Sequence, residues 1–353
     1  MGETMKLAVP TMGEAGLESE RAGHFGHCDC FTVVEIADGE ITGTSEVANP
    51  PHEEGECMRP VGLLAKAGVD AIVAAGMGIR SIRLTGGEPL VRLGVVDLVR
   101  DIANVPGIEN ISMTTNGVLL PRMADDLKAA GLSRVNISLD TLDSDQFRQI
   151  TRRGELQQTL DGIDAALEAG FNPVKINAVA VRSLHQDYLK FAELSIDRPL
   201  HVRFIEYMPV GESSGTDGCG WGKQDVVSCE ELFDTINEQA RAQGLPELVA
   251  AGEDRPLGWG PARYFMFPGA QGTVGFISPL SRHFCGECNR LRLTADGKLR
   301  PCLFSDNEYN LRAALREGDE EAQRAVFAEA LRAKPDDHHD RVGTERGMSQ
   351  IGG

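Results

Sequence analysis

The sequence predicts an α/β protein in two parts: a repeated strand–helix array building a parallel sheet, open or curled into a barrel, preceded by a smaller α/β unit. Three observations carry this. Short apolar runs begin at 82, 111, 135, 174 and 202, and the first four are each followed by a helical apolar pattern. Gly131 and Gly170 stand where helix C-terminal glycines belong. The charge is also unevenly spread. Residues 1–78 hold four basic and thirteen acidic residues, a balance of −9, and the other 275 residues carry the same −9 from 31 basic and 40 acidic groups. The denser negative stretch marks a separate unit.

In that first unit, β-branched and apolar runs bounded by Gly, Pro and Asp predict strands at 6–9, 31–36 and 41–46, with Asp38-Gly39 as a hairpin turn. Pro60 opens a predicted helix to Lys66, Gly68 ends it, and 71–75 reads as a buried strand. In the array, strands are expected at 82–85, 111–114, 135–139, 174–179 and 202–206, with helices at 95–103, 123–130, 156–169 and 186–194. Residues 207–275 read as looser and Gly-rich, and the stretch from Cys302 to about Arg332 as helical.

Composition narrows the function. The 353 residues are 41% hydrophobic and 25% charged, ordinary globular values that exclude a disordered or fibrous chain. No apolar run reaches the roughly 18–20 residues of a membrane span, and the N-terminus lacks a signal pattern, so a cytoplasmic protein is expected. A net charge of −18 disfavours sequence-independent nucleic-acid binding. Eight cysteines are too sparse for a disulfide scaffold, and in a reducing compartment clustered cysteines are ligands or nucleophiles more often than bridges.

They do cluster. Cys285-Gly286-Glu287-Cys288 is followed after thirteen residues by Cys302. Three thiolates at this spacing suit one iron each of a cubane, leaving the fourth iron open; a tetrahedral zinc would need His283 as well. Inert buried cysteines are the bland alternative. A second signal gathers at the strand C-termini: Thr85-Gly86-Gly87-Glu88-Pro89, Thr114-Thr115-Asn116-Gly117, Ser138-Leu139-Asp140, Lys175 with Asn177, and Arg203 with Glu206. Polar groups at one end of parallel strands form ligand sites, and Gly-Gly lets backbone approach a ligand closely.

Ile82-Arg83-Leu84-Thr85-Gly86-Gly87-Glu88-Pro89-Leu90, residues 114–120, 135–142, 173–179 and 203–211 closely resemble the MoaA-type GTP 3',8-cyclases, radical S-adenosylmethionine lyases of molybdenum cofactor biosynthesis. Phe284-Cys285, Cys288-Asn289-Arg290-Leu291-Arg292-Leu293-Thr294, Pro301-Cys302-Leu303 and the terminal Gly352-Gly353 resemble their C-terminal region, over residues 79–353 in all. The resemblance implies a partial TIM barrel over 79–210 and a cluster- and GTP-binding region over 211–353. It implies S-adenosylmethionine at Gly86, Gly87, Glu88, Pro89, Ser138 and Met208. It further implies GTP at Arg83, Thr114, Lys175, Arg290 and Arg292, a [4Fe-4S] cluster on Cys285, Cys288 and Cys302, and a catalytic tail at Gly352 and Gly353. Partners implied are GTP and the cyclic pyranopterin monophosphate synthase of the same pathway, with a homodimer among the expected states and neither nucleic acid nor membrane.

Two departures follow. The family's second [4Fe-4S] cluster, which delivers the electron that cleaves S-adenosylmethionine, needs a Cys-x3-Cys-x2-Cys loop, and no such spacing occurs in this chain. The barrel is therefore expected to be incomplete, without its first βα unit. In its place, residues 1–78 resemble a truncated NifX/NifB-type domain for iron–molybdenum cofactor precursors, of ribonuclease H-like α/β fold. The resemblance rests on Leu7-Ala8-Val9-Pro10-Thr11, His24-Phe25-Gly26-His27-Cys28 and Gly76-Met77-Gly78. Cys28, Cys30, Cys57, His24, His27 and His52 could bind iron or copper there, or be ordinary residues. Cys219 and Cys229 read as structural or incidental. The expectation is a GTP 3',8-cyclase-like protein lacking the ligands of one cluster; the alternatives are a non-catalytic iron–sulfur and GTP-binding carrier, or a spliced chimera without function.

Overall fold

The computed structural model describes residues 4–11, 30–37, 40–48, 78–208, 221–256, 260–282, 284–316, 319–336 and 346. The N-terminal strands β1 (Thr4–Thr11), β2 (Cys30–Ala37) and β3 (Glu40–Ala48) form one antiparallel sheet in the order β1-β2-β3. Ala37 pairs with Glu40, leaving two residues for the connection, and a bulge lies between Glu35 and Ile36. Cys30, Phe31, Val33 and Val34 of the central strand are buried. The expected turn at Asp38-Gly39, the helix at 60–66 and the strand at 71–75 lie outside the described residues.

The array follows the predicted rhythm. Strands β4 (Ser81–Leu84), β5 (Asn110–Thr115), β6 (Arg134–Ser138), β7 (Val174–Ala180) and β8 (Leu200–Glu206) run parallel in chain order. Helices α1 (Val95–Ala103), α2 (Leu120–Ala129), α3 (Ser144–Thr151), α4 (Leu156–Glu168) and α5 (Tyr188–Glu193) occupy the crossovers. Gly131 ends α2 at φ +107°, where an L side chain is strained, and Leu132 N–H reaches back to the Leu127 carbonyl. Gly162 lets α4 touch the β5–α2 turn: a Cβ there would stand 2.1 Å from the Gly117 carbonyl oxygen.

The stretch expected to be loose is ordered over much of its length. Helix α6 (Cys229–Ala242) starts where the Ser228 hydroxyl accepts from Glu231 N–H, and it buries Leu232, Ile236 and Ala240 at helical spacing. After β9 (Val249–Ala250) and β10 (Arg263–Met266), β11 (Thr273–Ile277) adds a sixth parallel strand beside β8. The sheet order is β4-β5-β6-β7-β8-β11-β10-β9, its last two pairings antiparallel. A small third sheet joins β12 (Arg292–Leu293), β13 (Lys298–Arg300) and β14 (Tyr309–Asn310), and α7 (Leu311–Arg316) and α8 (Glu320–Arg332) follow. Among the described residues no helix is long and apolar enough to cross a membrane.

Parallel sheets are ordinarily apolar on both faces. This one is not. On one face Met113, Ile137, Ile176, Phe204 and Val274 pack into the main core, each contributing about 2 kcal/mol by burial. The alternate residues are Ser112, Thr114, Arg134, Asn136, Ser138, Lys175, Asn177, His201, Arg203 and Thr273.

Candidate functional site

Register turns that alternation into rows. Arg83 stands beside Ser112, and Ser112 beside Arg134. Thr114, Asn136, Lys175, His201 and Thr273 form a second row, and Ser138, Asn177, Arg203 and Gly275 a third. Arg83 and Arg203 are four strands apart, about 19 Å on a flat sheet at roughly 4.8 Å per strand. Their charges nevertheless act on each other, as two long side chains over one face of a sheet curled toward it, as in a partial barrel, can.

The curled face collects cations without counter-charges. Burial, then Arg203, Arg290, Arg134 and Arg292, pushes Arg83 down to about 10. Lys175 is pushed down to about 7 by burial, then by Arg203, Arg134 and Arg83. Burial lowers Arg134 and Arg203 as well, and Tyr264 opposes this at both. Arg292 falls to about 10, chiefly by burial and by Arg290. Among the described residues no carboxylate is a leading influence on any of these groups. Side-chain amides do the orienting: Arg203 donates to Asn177 Oδ1 (Nε, 2.9 Å) and to Asn136 Oδ1 (2.8 Å), and Asn136 donates to the Met113 carbonyl. The Lys175 ammonium lies 5.9 Å from the centre of the Tyr264 ring. His201, bonded through Nδ1 to Thr273 Oγ1, is pushed down to about 4 by burial, Lys175 and Arg203, and is neutral at pH 7.

At the β4 C-terminus the Gly-Gly-Glu-Pro segment is held by its acid. Glu88 accepts from Leu90 N–H (3.0 Å), from Thr115 Oγ1 (2.7 Å) and from Asn116 N–H (2.7 Å). Gly86 sits at φ +141°, and a Cβ on Gly86 or Gly87 would meet nothing within 4 Å, so this backbone borders open space. Next to it lies a cavity of about 510 Å³, lined among others by Glu88, Asn116, Ser138, Asp140, Phe147 and Thr159. Burial raises Asp140 to about 6, opposed by a hydrogen bond from Val179 N–H, and Gln186 Nε2 ties the Asp140 and Val179 carbonyls together.

The cysteine segment faces the cations. Cys285 opens a 3₁₀ turn, Cys285–Glu287, whose end is marked by Cys288 N–H donating to the Cys285 carbonyl. Lys334 Nζ reaches the carbonyls of Arg290 (2.8 Å) and Pro301 (2.9 Å) and Cys288 Sγ (3.5 Å). Burial raises the Cys288 thiol, but the Arg290 N–H and the charges of Lys334 and Arg290 outweigh it, leaving the thiol below its ordinary range. Cys288 and Cys302 both act on Arg292. Three thiols beside lysine and arginine suit an anionic iron–sulfur cluster as a donor set. Even so, among the described residues no three Cys, His, Asp or Glu side chains converge closely enough to hold a metal ion.

Of the residues expected at GTP, Arg83, Lys175, Arg290 and Arg292 thus act on one another, and Thr114 shares a row with Lys175. Of those expected at S-adenosylmethionine, Glu88 and Ser138 line the cavity and Gly86, Gly87 and Pro89 adjoin it in the chain. Met208 instead packs with Phe304, Leu280 and Cys302. Gly352, Gly353, His283, Cys28, Cys57, Cys219, His24, His27 and His52 lie outside the described residues. Cys30 is buried in the N-terminal sheet, and Cys229, its thiol pushed up to about 12 chiefly by burial, begins α6. Arg134, Asn136 and His201 escaped the sequence reading, and Arg203 entered it only as a strand-end polar group. Their signal was the period-2 alternation of Arg134-Val135-Asn136-Ile137-Ser138 and Leu200-His201-Val202-Arg203-Phe204.

Comparison with known proteins bears on this arrangement. The family description Radical SAM superfamily matches residues 64–194, Molybdenum Cofactor Synthesis C matches 200–340, and Dinitrogenase iron-molybdenum cofactor matches 5–85. The first and last overlap over residues 64–85. A protein of Moorella thermoacetica named GTP 3',8-cyclase is 48% identical over 306 residues, covering 86% of this chain and 88% of that one. Proteins of that name from Pelotomaculum thermopropionicum and Heliobacterium modesticaldum are 48% and 49% identical, covering 85% and 80% of this chain and 91% and 84% of theirs.

Proposed function

The chain belongs to the GTP 3',8-cyclase family of radical S-adenosylmethionine proteins in molybdenum cofactor biosynthesis, and on that premise we propose that it binds GTP on the curled cationic face and a [4Fe-4S] cluster on Cys285, Cys288 and Cys302, without itself cleaving S-adenosylmethionine. The observation that carries this reading is a set of six cations, Arg83, Arg134, Lys175, Arg203, Arg290 and Arg292, that act on one another with no carboxylate as a leading influence among the described residues and that face the cysteine segment. A polyanion relieves that repulsion, and a triphosphate supplies one through charge-assisted hydrogen bonds.

In this reading Lys175, Arg83 and Arg203 hold phosphate oxygens, and Asn136 and Asn177 keep the Arg203 guanidinium aimed at them. Arg290 and Arg292 bring the nucleotide toward the thiols. A cluster with three thiolate ligands supplies one iron with an open position for a donor atom of the ligand. Glu88 holds the Gly86-Gly87 backbone against the cavity, whose size and polar rim suit the adenosyl part of S-adenosylmethionine. The cluster that would reduce that cofactor has no Cys-x3-Cys-x2-Cys ligand set in this chain.

Anaerobic reconstitution tests the proposal. About four irons per chain, lost in the variant C285A/C288A/C302A, together with GTP binding and no 5'-deoxyadenosine from S-adenosylmethionine and dithionite, are the expected results. Formation of 5'-deoxyadenosine above a cluster-free control would overturn the part about cleavage. Failure to bind GTP would overturn the rest.

A further inference from the structure

We propose that Lys334 is a positioning residue for the cysteine site: its ammonium clamps residues 285–290 to the Pro301-Cys302 segment, and its hydrogen bond to a ligand sulfur raises the reduction potential of the cluster held there. This rests on the reading that Cys285, Cys288 and Cys302 hold a cluster.

The geometry is specific. An ammonium has three donors, and Lys334 Nζ has three acceptors: the Arg290 carbonyl at 2.8 Å, the Pro301 carbonyl at 2.9 Å and Cys288 Sγ at 3.5 Å. Arg290 lies two residues past Cys288, and Pro301 immediately precedes Cys302. One side chain therefore sets the spacing of two thiol-bearing segments that are far apart in sequence. The lysine is itself fixed, because it follows Ala333, the residue that caps α8, and its own N–H donates to the Leu331 carbonyl.

The consequence for a cluster is physical. One-electron reduction adds a negative charge among the sulfurs, and a fixed cation donating to one of them stabilises the reduced form more than the oxidised form. Losing the clamp also frees the two segments to separate, which speeds release of iron.

The experiment uses the reconstituted full chain and K334M, K334Q and K334R. Iron and sulfide are first counted in the unsubstituted protein; no cluster there refutes the cysteine-site reading and is distinct from failure of the lysine proposal. With a cluster present, K334M and K334Q should show a lower midpoint potential in dithionite titration, an altered EPR signal of the reduced cluster, and roughly tenfold faster loss of iron to a chelator. K334R, which keeps charge and donors, should recover most of the potential. An unchanged potential in K334M and K334Q, or a K334R potential as low as theirs, overturns the proposal. If K334M loads no iron, K334Q and K334R decide: the proposal stands if K334R has the higher potential and falls if the two agree.

Discussion

Two regions of this chain are rich in arginine and treat it in opposite ways. On the curled sheet face, Arg83, Arg134, Lys175 and Arg203 lean on one another, and each is held below its ordinary protonation range. Around β13, each cation instead has an acid. Arg300, fully buried, pairs with Glu308 at 2.7 Å; Lys298 pairs with Glu308 at 2.9 Å; Arg346 reaches Asp296 at 2.9 Å and Glu308 at 2.7 Å. There Arg346 and Thr294 hold the Asp296 carboxyl below its ordinary range. At Glu308, burial pushes upward, and Lys298, Arg300 and Arg346 win. The first region holds cations that lower one another's protonation, with no carboxylate as a leading influence among the described residues. The second pairs its cations with acids inside the fold, although the buried Arg300 Nε has no hydrogen-bond partner among the described residues.

The contrast can be broken most forcefully at the acid. Glu308→Ala leaves Arg300 buried with its main partner gone, and should lower stability by roughly 3–5 kcal/mol in urea denaturation. A loss under about 1 kcal/mol would mean that the cluster is as dispensable as a surface pair.

On the other side, Arg83→Gln removes a cation that has no acid among its leading influences in the described residues. It should weaken GTP binding about 10- to 100-fold, roughly 1.5–3 kcal/mol for hydrogen bonds to a charged group, while leaving the ligand-free melting temperature unchanged or higher. A clear fall in that melting temperature would place Arg83 with Arg300 as a structural residue.

Protonation separates the regions further. Lys175 is lowered to about 7 in the folded chain and titrates near its ordinary 10.5 when unfolded. Between these values the unfolded state binds the extra proton, so this group makes stability rise with pH from about 7 to about 10. GTP restores the charge, so binding should take up a proton, and affinity should fall as pH climbs above 7. Calorimetry in buffers of different ionisation enthalpy reads this, and heats independent of buffer would remove Lys175 from the phosphate site. Asp296 and Glu308, lowered on folding, act at the other end: their contribution is present at neutral pH and is lost as pH falls through their lowered folded values.

The smallest effect belongs to an exposed pair outside both regions. Arg80→Ala breaks the contact with Glu109 and should move stability by no more than about 0.5 kcal/mol, with GTP affinity unchanged.

Much of this was legible in advance. The five strands and four helices of the array fall within a few residues of their predicted positions, because apolar period and glycine caps are local signals. Helix α6 was missed although Ser228 and Glu231 carry a start signal and Leu232, Ile236 and Ala240 a helical stripe; the glycines on either side obscured them. Strand β11 was missed because five residues of Thr-Val-Gly-Phe-Ile read as well for a loop as for a strand until β8 lies beside them. At the site, the motif residues were legible and Arg134, Asn136 and His201 were not.

By itself, then, the sequence determined which side chains share a face of each strand, where the chain turns, which cysteines stand at ligand spacing, and that no Cys-x3-Cys-x2-Cys loop is present. Those depend on neighbours a few residues apart. Tertiary structure alone decided which charges are compensated. Arg83, Arg203 and Arg290 meet because a sheet curls and a C-terminal segment faces it, and Arg300 meets Glu308 because β13 packs on β14. Coulomb interactions act through space over several ångströms, so an arginine in sequence becomes a ligand's partner or a fold's partner only once the chain has placed, or failed to place, an acid beside it.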